Sequence, residues 1–323
     1  MFYKLLHFPA KLALHIWCRH LRINNKIILN ADGPMLIAAN HPNSFLDAIL
    51  LCALFKQPIY SLARGDAFKN KFIHKILTSL NMFPVYRVSE GVENLEENYK
   101  TFADCIHVFK KNGIVLIFSE GRCVNEWHLR PLKKGTARLA ISAWEQGIPL
   151  KVIPLGINYH SFTSFGKNII ANFGEFITQK NIDVKIEDAY GVKVQTFNAA
   201  LKAQLEKLVI EIKPADEKII KQTFEIPVSS FKKILLFIPA VLGFLLHAPL
   251  YIPIQKFAFK NFGKIDHYDS VMVGLLFLLY PFYLLLMAFI AYLLLGSFWW
   301  LLVFVLFPFF AWSYVSLKMN FRI

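Results

Sequence analysis

Between residues 34 and 160, short apolar runs alternate with longer stretches of helical periodicity. The runs Pro34–Ala39, Ile59–Ala63, Met82–Tyr86, Ile114–Phe118 and Val152–Ile157 have the length and composition of buried strands. Between them, Phe45–Phe55, Lys71–Leu80, Leu95–Lys111 and Thr136–Glu145 read as helices, the last stopped by Gly147 and Pro149. This alternation predicts an α/β fold, a mixed and largely parallel sheet flanked by helices. Function in such sheets gathers at the carboxyl ends of the strands. His41, Arg87 and Glu120 all fall at predicted strand ends, so they are expected to converge. A further helix is expected over Leu201–Ile212, covering one edge of the domain.

The pattern changes at both ends of the chain. In residues 1–25, Lys4, Lys11, Arg19, His20 and Arg22 interrupt apolar residues such as Leu5, Phe8, Leu12 and Trp17. The uninterrupted apolar runs are far shorter than the ~20 residues a spanning helix needs. The segment reads as a basic amphipathic helix in a membrane interface, or as an ordinary amphipathic helix packed on the domain. Residues 26–230 form the expected central domain, and residues 231–323 a membrane domain. There, 270–295 and 298–317 are each long enough to cross a bilayer, with Gly296-Ser297 as a tight turn. Residues 234–254 are also apolar, but Pro239, Pro249 and Pro253 interrupt them. Lysines and arginines flank every apolar segment. If all three spanned, Lys256, Lys260 and Lys264, and with them Lys318 and Arg322, would lie opposite Lys232 and Lys233, on the outside and against the positive-inside tendency. A re-entrant or interfacial course for 234–254 puts every cluster, and the central domain, on the cytoplasmic side. The competing reading is a proline-kinked spanning helix.

Composition adds two constraints. Of 323 residues, 36 are Lys or Arg against 22 Asp or Glu, a formal charge of +14, which favours acidic partners such as anionic lipid or phosphate-bearing substrates. No nucleic-acid recognition motif accompanies the charge, and membrane flanks account for it, so no nucleic-acid partner is expected. The cysteines Cys18, Cys52, Cys105 and Cys123 show no paired spacing, which fits a reducing compartment and neither a zinc site nor a disulfide framework.

The candidate chemistry lies in Ala39-Asn40-His41-Pro42-Asn43-Ser44-Phe45-Leu46-Asp47. A histidine at a strand-to-helix turn, with a carboxylate one turn into the helix, is a base-and-orienter arrangement. Asp47 would hold one ring nitrogen and leave the other facing a substrate hydroxyl. Ser44-x-x-Asp47 is equally a capping box, with Asp47 serving only a backbone N–H.

This stretch resembles the first block of the glycerolipid acyltransferases, the lysophosphatidate and glycerol-phosphate acyltransferase (PlsC-like) family. That block is an Asn-His pair with an aspartate after four residues; here five lie between His41 and Asp47. Phe83-Pro84-Val85-Tyr86-Arg87 resembles the second block, a strand closing on arginine. Phe118-Ser119-Glu120-Gly121-Arg122 resembles the third, with Ser119 in place of the usual proline and Arg122 directly after the glycine. Lys133-Lys134-Gly135-Thr136 resembles the basic residue and glycine that follow, although a solvated charge pair explains the lysines as well. Val152–Asn158 resembles the fourth block, and Asn172–Phe176 the glycine-containing strand after it.

The resemblance implies an O-acyltransferase of phospholipid biosynthesis. It would move a fatty acyl group from a thioester, acyl-CoA or acyl-ACP, to a hydroxyl of a glycerol-phosphate-type lipid precursor. Lysophosphatidate is the first choice of acceptor, and glycerol 3-phosphate or dihydroxyacetone phosphate the competitor. His41 and Asp47 would be catalytic. Arg87, Glu120, Gly121, Arg122 and Lys134 would form the phosphate site. No cofactor and no metal are implied. The reading from a different class is a non-catalytic lipid-binding membrane protein on the same fold. Oligomeric state is left open.

Overall fold

The computed structural model describes residues 2–86, 95–182 and 188–318. Strands β1 (Cys18–Ile23), β2 (Met35–Ala39), β3 (Ile59–Arg64), β4 (Met82–Val85), β5 (Ile114–Phe118), β6 (Lys151–Tyr159) and β7 (Lys167–Phe173) form one sheet. Their order is β1-β7-β6-β2-β5-β3-β4. Every neighbouring pair is parallel except β6 with β7. The sheet is therefore mixed and largely parallel, with the one reversal made by the short link from Tyr159 to Lys167.

The central strand β2 shows how the layers form. Its five residues, Met35-Leu36-Ile37-Ala38-Ala39, are all buried. Successive side chains point to opposite faces, so Leu36 and Ala38 enter one core and Met35, Ile37 and Ala39 the other. The first core is closed by α4 (Leu95–Lys110), α5 (Gly135–Glu145) and α6 (Tyr190–Leu208). The second is closed by α1 (Phe2–Trp17) and α2 (Ser44–Leu54). The remaining helices outside the membrane segment are α3 (Lys71–Ser79) and α7 (Glu217–Phe224).

Three boundaries differ from the sequence reading. Helix α1 ends at Trp17, and Cys18–Ile23 is an edge strand paired with β7. Arg19 and Arg22, three positions apart, continue the polar face of a helix when read on from α1. Strand β7 occupies Lys167–Phe173 and so ends before Gly174, earlier than Asn172–Phe176. Helix α6 begins at Tyr190, eleven positions before Leu201, because Val194 and Phe197 are buried on it. Helix α1 buries Leu14 and Trp17 and leaves Leu5 and Phe8 66% and 73% exposed, so it both packs on the domain and presents an apolar face outward.

The apolar C-terminal third forms α8 (Ser230–Phe262), α9 (Tyr268–Leu295) and α10 (Val303–Leu317). Each, with the turn at Phe298–Leu302 added to α10, is long and apolar enough to cross a membrane. Gly296 takes a left-handed φ of 57° at the α9–α10 turn. Helix α8 continues through Pro239, Pro249 and Pro253, yet its contacts double back. Leu236 and Ala240 share a cluster with Leu317 at the end of α10. Gly243 lies so close to α10 that an added Cβ would sit 2.1 Å from the Phe310 carbonyl oxygen. His247 reaches Tyr280 of α9 and Phe307 of α10. Beyond it, Tyr251 returns to Phe165 and Lys318, and Ile254 and Ala258 to Tyr268 and Met272 at the start of α9. Both ends of α8 thus lie beside the sheet domain. The prolines, each lacking an N–H for the helical ladder, permit that bend.

Candidate active site

Strands β2 and β5 are in register, Ala39 opposite Phe118. His41 and Glu120 each lie two residues beyond that pair, so the sheet places them side by side. The N–H of His41 donates to Glu120 Oε2 at 2.7 Å, and the N–H of Arg130 donates to Oε1 at 2.8 Å. Glu120 therefore ties the loop after β5 to the loop after β2. Burial pushes its carboxyl up, and the two N–H donors draw it back. Asn40 anchors the other side, its amide bonding both the N–H and the carbonyl of Ile157 on β6.

The imidazole of His41 stacks on the Phe118 ring, centroids 3.8 Å apart and planes 9° from parallel. Its Nδ1 lies 2.8 Å from Asp47 Oδ2. Asp47 is fully buried and also accepts from the Asn43 N–H at 2.9 Å. The Tyr159 hydroxyl donates to its other oxygen, Oδ1, at 2.8 Å. Asp47 thus serves both the backbone of the turn and the histidine. With Nδ1–H committed to Asp47, Nε2 of His41 is the acceptor. Among the described residues no protein group bonds that nitrogen. Burial, and after it the charge of Asp47, push the Tyr159 hydroxyl well above its ordinary range, so it stays a donor.

Ser44, within the five residues between His41 and Asp47, adopts a left-handed φ of 50°. Such a conformation is uncommon for residues other than glycine. Cys123 meets this turn, its sulfur accepting from the Ser44 N–H at 2.9 Å. Burial pushes the Cys123 thiol up, away from a thiolate nucleophile.

Of the expected phosphate site, Gly121 takes a φ of +71° beside the base, a region that suits glycine. Lys133, rather than Lys134, lies across it. Arg122 is exposed. Ser119, where the family pattern has proline, accepts from the Thr136 hydroxyl at 3.0 Å inside the domain. Lys134 lines a cleft of about 680 Å³ together with Arg130, His128, Lys202 and Asn198. Arg87 lies outside the described residues.

Residues 20–158 match the family model described as Acyltransferase. Residues 20–158 thus resemble an acyltransferase domain. A 1-acyl-sn-glycerol-3-phosphate acyltransferase of Bacillus subtilis (strain 168) is 30% identical over 121 residues, 37% of this chain and 56% of that relative. The chain thus spans little more than half the length of that relative. A crystal structure of the 1-acyl-sn-glycerophosphate (LPA) acyltransferase PlsC from Thermotoga maritima covers 64% of this chain and 78% of its own, with 14% identity and a TM-score of 0.46. The likeness read from the sequence blocks is matched over residues 20–158 by the Acyltransferase model and over 121 residues by that relative.

The site also uses residues that the sequence reading passed over. Tyr159 continues the alternation Ile153, Leu155, Ile157 on the α2 side of β6, and it is a hydroxyl at the end of an otherwise apolar face. That polar end was a readable signal. Lys167, His267 and Asp269, which meet the same turn, carried none: they are remote in sequence and belong to no block.

Proposed function

We propose that this protein is a membrane-bound O-acyltransferase. It moves a fatty acyl group from a thioester, acyl-CoA or acyl-ACP, to the free hydroxyl of a glycerol-phosphate-type lipid precursor. The first acceptor is 1-acyl-glycerol 3-phosphate, giving phosphatidate; the name of the Bacillus subtilis relative, a 1-acyl-sn-glycerol-3-phosphate acyltransferase, supports that choice. The single observation that carries the reading is the His41–Asp47 contact at 2.8 Å, on a buried carboxylate, with Nε2 free of described protein partners.

In the proposed reaction, Nε2 of His41 takes the acceptor's hydroxyl proton as that oxygen attacks the thioester carbonyl carbon. Asp47 holds the ring and stabilises the imidazolium. The tetrahedral intermediate collapses with cleavage of the carbon–sulfur bond, and the imidazolium returns its proton to the departing thiolate. The products are an ester and a free thiol, and no protein nucleophile is used. Arg122 and Arg87, with Lys133 across Gly121 and Lys134 beyond it, supply positive charge for the acceptor phosphate. Glu120 and Gly121 shape that site, Glu120 through the backbone of the two loops. No cofactor or metal enters the scheme.

Helices α9 and α10 would form a spanning hairpin, and α8 a re-entrant element; its returning contacts support that course. All basic clusters then lie with the catalytic domain on the cytoplasmic side.

The test is thioester-dependent acylation in detergent, wild type against His41→Ala, across lysophosphatidate, glycerol 3-phosphate and dihydroxyacetone phosphate. Loss of the base is expected to cost ~100-fold or more in rate. A folded protein that binds lipid and turns over no acceptor, or whose turnover ignores His41, would be a lipid-binding module instead.

A further inference from the structure

The turn that holds the His41–Asp47 pair is bonded along its outer side by the first residues of the membrane hairpin. The Asn43 side-chain amide donates to Asp269 Oδ2 at 2.7 Å. The Ser270 hydroxyl donates to the Asn43 carbonyl at 3.3 Å. Ser44 Oγ and His267 Nδ1 are 2.7 Å apart, and the Asn125 N–H donates to Asp266 Oδ1 at 2.9 Å. Four of the five residues from Asp266 to Ser270 thus bond to the turn or to the Asn125 loop beside it. Asp269 is itself held by Lys167 of β7, and both side chains are fully enclosed. Lys167 also sits over the ring of Tyr159, 5.7 Å from its centroid, while the Tyr159 hydroxyl bonds Asp47.

These groups close a circuit. Asp269 holds the Asn43 side chain, and the Asn43 N–H bonds the same oxygen of Asp47 that holds His41. A shift of Asn43 therefore moves the carboxylate that sets the ring. The left-handed Ser44 lies in the middle of this circuit, and a backbone of that kind persists only where its surroundings over-determine it. A buried ion pair is weak as a source of stability, because desolvation cancels much of the attraction. Its use here is geometric.

Resting on the acyl-transfer reading above, we infer that Asp269, seated by Lys167, is a positioning residue for His41 and Asp47, and that the first turn of α9 completes the catalytic turn rather than merely anchoring the enzyme. The five-residue spacing between His41 and Asp47 then has a physical account: the longer turn is held from the membrane side.

The test uses the full-length protein in detergent, after wild type and His41→Ala have established turnover; failure at that step removes the acyl-transfer reading and is seen separately. Two double variants follow, K167M/D269N and K167M/D269L. Both remove the ion pair; Asn and Leu share one branched four-atom skeleton, Leu being the bulkier by its two methyls, and only Asn keeps an acceptor for Asn43. K167M/D269N is expected to retain kcat within about threefold of wild type, and K167M/D269L to lose about 10- to 100-fold at unchanged acceptor KM, the scale set by small displacements of catalytic groups. Equal kcat in the two folded double variants overturns the inference. If K167M/D269L fails to fold, Asn43→Ala decides: it leaves the ion pair in place and is expected to lower kcat by the same order without raising acceptor KM. Unchanged kcat, or a loss confined to KM, overturns the inference.

Discussion

Helices α5 and α8 are both rich in apolar residues and reach opposite outcomes. Of the eleven residues of α5, seven are buried: Thr136, Ala137, Leu139, Ala140, Ile141, Ala143 and Trp144. Of the thirty-three residues of α8, five are: Leu236, Ala240, Gly243, Ile254 and Ala258. In α5 the apolar face meets the sheet. In α8 only small or well-placed side chains meet α9 and α10, and the rest of the circumference is exposed, as a helix in a bilayer would be to lipid. Hydrophobicity is the same driving term in both, but in the bilayer it acts between helix and lipid, while close approach of backbones holds helix to helix. Gly243 against Phe310 is that approach. The active site lies where the two regimes touch, with α2 packed on the sheet through Leu46 and Leu50 and with Phe45 turned to Gly274 of α9.

The largest test of this contrast is a matched pair of truncations. Leu36 is fully buried in the sheet core, and Leu36→Ala is expected to cost about 2–5 kcal/mol. Leu294 is 78% exposed on α9, and Leu294→Ala is expected to change stability by less than about 0.5 kcal/mol. Denaturation in detergent measures both; comparable losses would erase the distinction between the regimes.

A smaller effect sharpens the view of the junction. Tyr159→Phe removes the hydroxyl that bonds Asp47 and keeps the ring that packs beside Lys167. A hydrogen bond to a charged group is worth about 1.5–3 kcal/mol, so kcat is expected to fall by roughly 10- to 100-fold while acceptor KM holds. A fall in folded yield with kcat intact would make Tyr159 a core residue only.

The smallest effect is a pH slope at the edge where β6 turns into β7. Burial, followed by the charges of Lys167 and Arg19, draws His160 from its usual 6.5 down to about 4. The fold therefore favours the neutral ring. The stability it supports is present above pH 6.5 and is lost progressively as pH falls toward 4. The melting temperature of wild type should fall more steeply across that window than that of His160→Gln, and parallel slopes would refute the assignment.

Much of the site was legible because its parts obey local rules. His41 and Glu120 could be placed at strand ends from two apolar runs and expected to converge; that β2 and β5 are neighbours in register was decided by the fold. Residue type and spacing suggested a base and its orienter, and Ser44-x-x-Asp47 a plain cap; in the structure Asp47 serves both the Asn43 N–H and His41. The strand Cys18–Ile23 was not legible, because Arg19 and Arg22 follow the basic helix at a spacing that continues its polar face. The course of α8 was legible only as a choice, because flanking charges constrain which side a segment ends on and say nothing of the contacts that bend it.

The sequence by itself determined the α/β layer, the placing of His41 and Asp47 within one turn, the blocks that resemble the acyltransferases and the long apolar C-terminal segments, since each follows from periodicity, turn chemistry or a motif within a few residues. Tertiary structure alone decided that Tyr159, Lys167 and Asp269 enclose that pair. Their sequence separations, up to the 226 positions between Asn43 and Asp269, leave no local pattern. What selects them is the requirement that a buried amide, a buried ammonium and buried carboxylates each find a partner once the sheet and the membrane helices have excluded water.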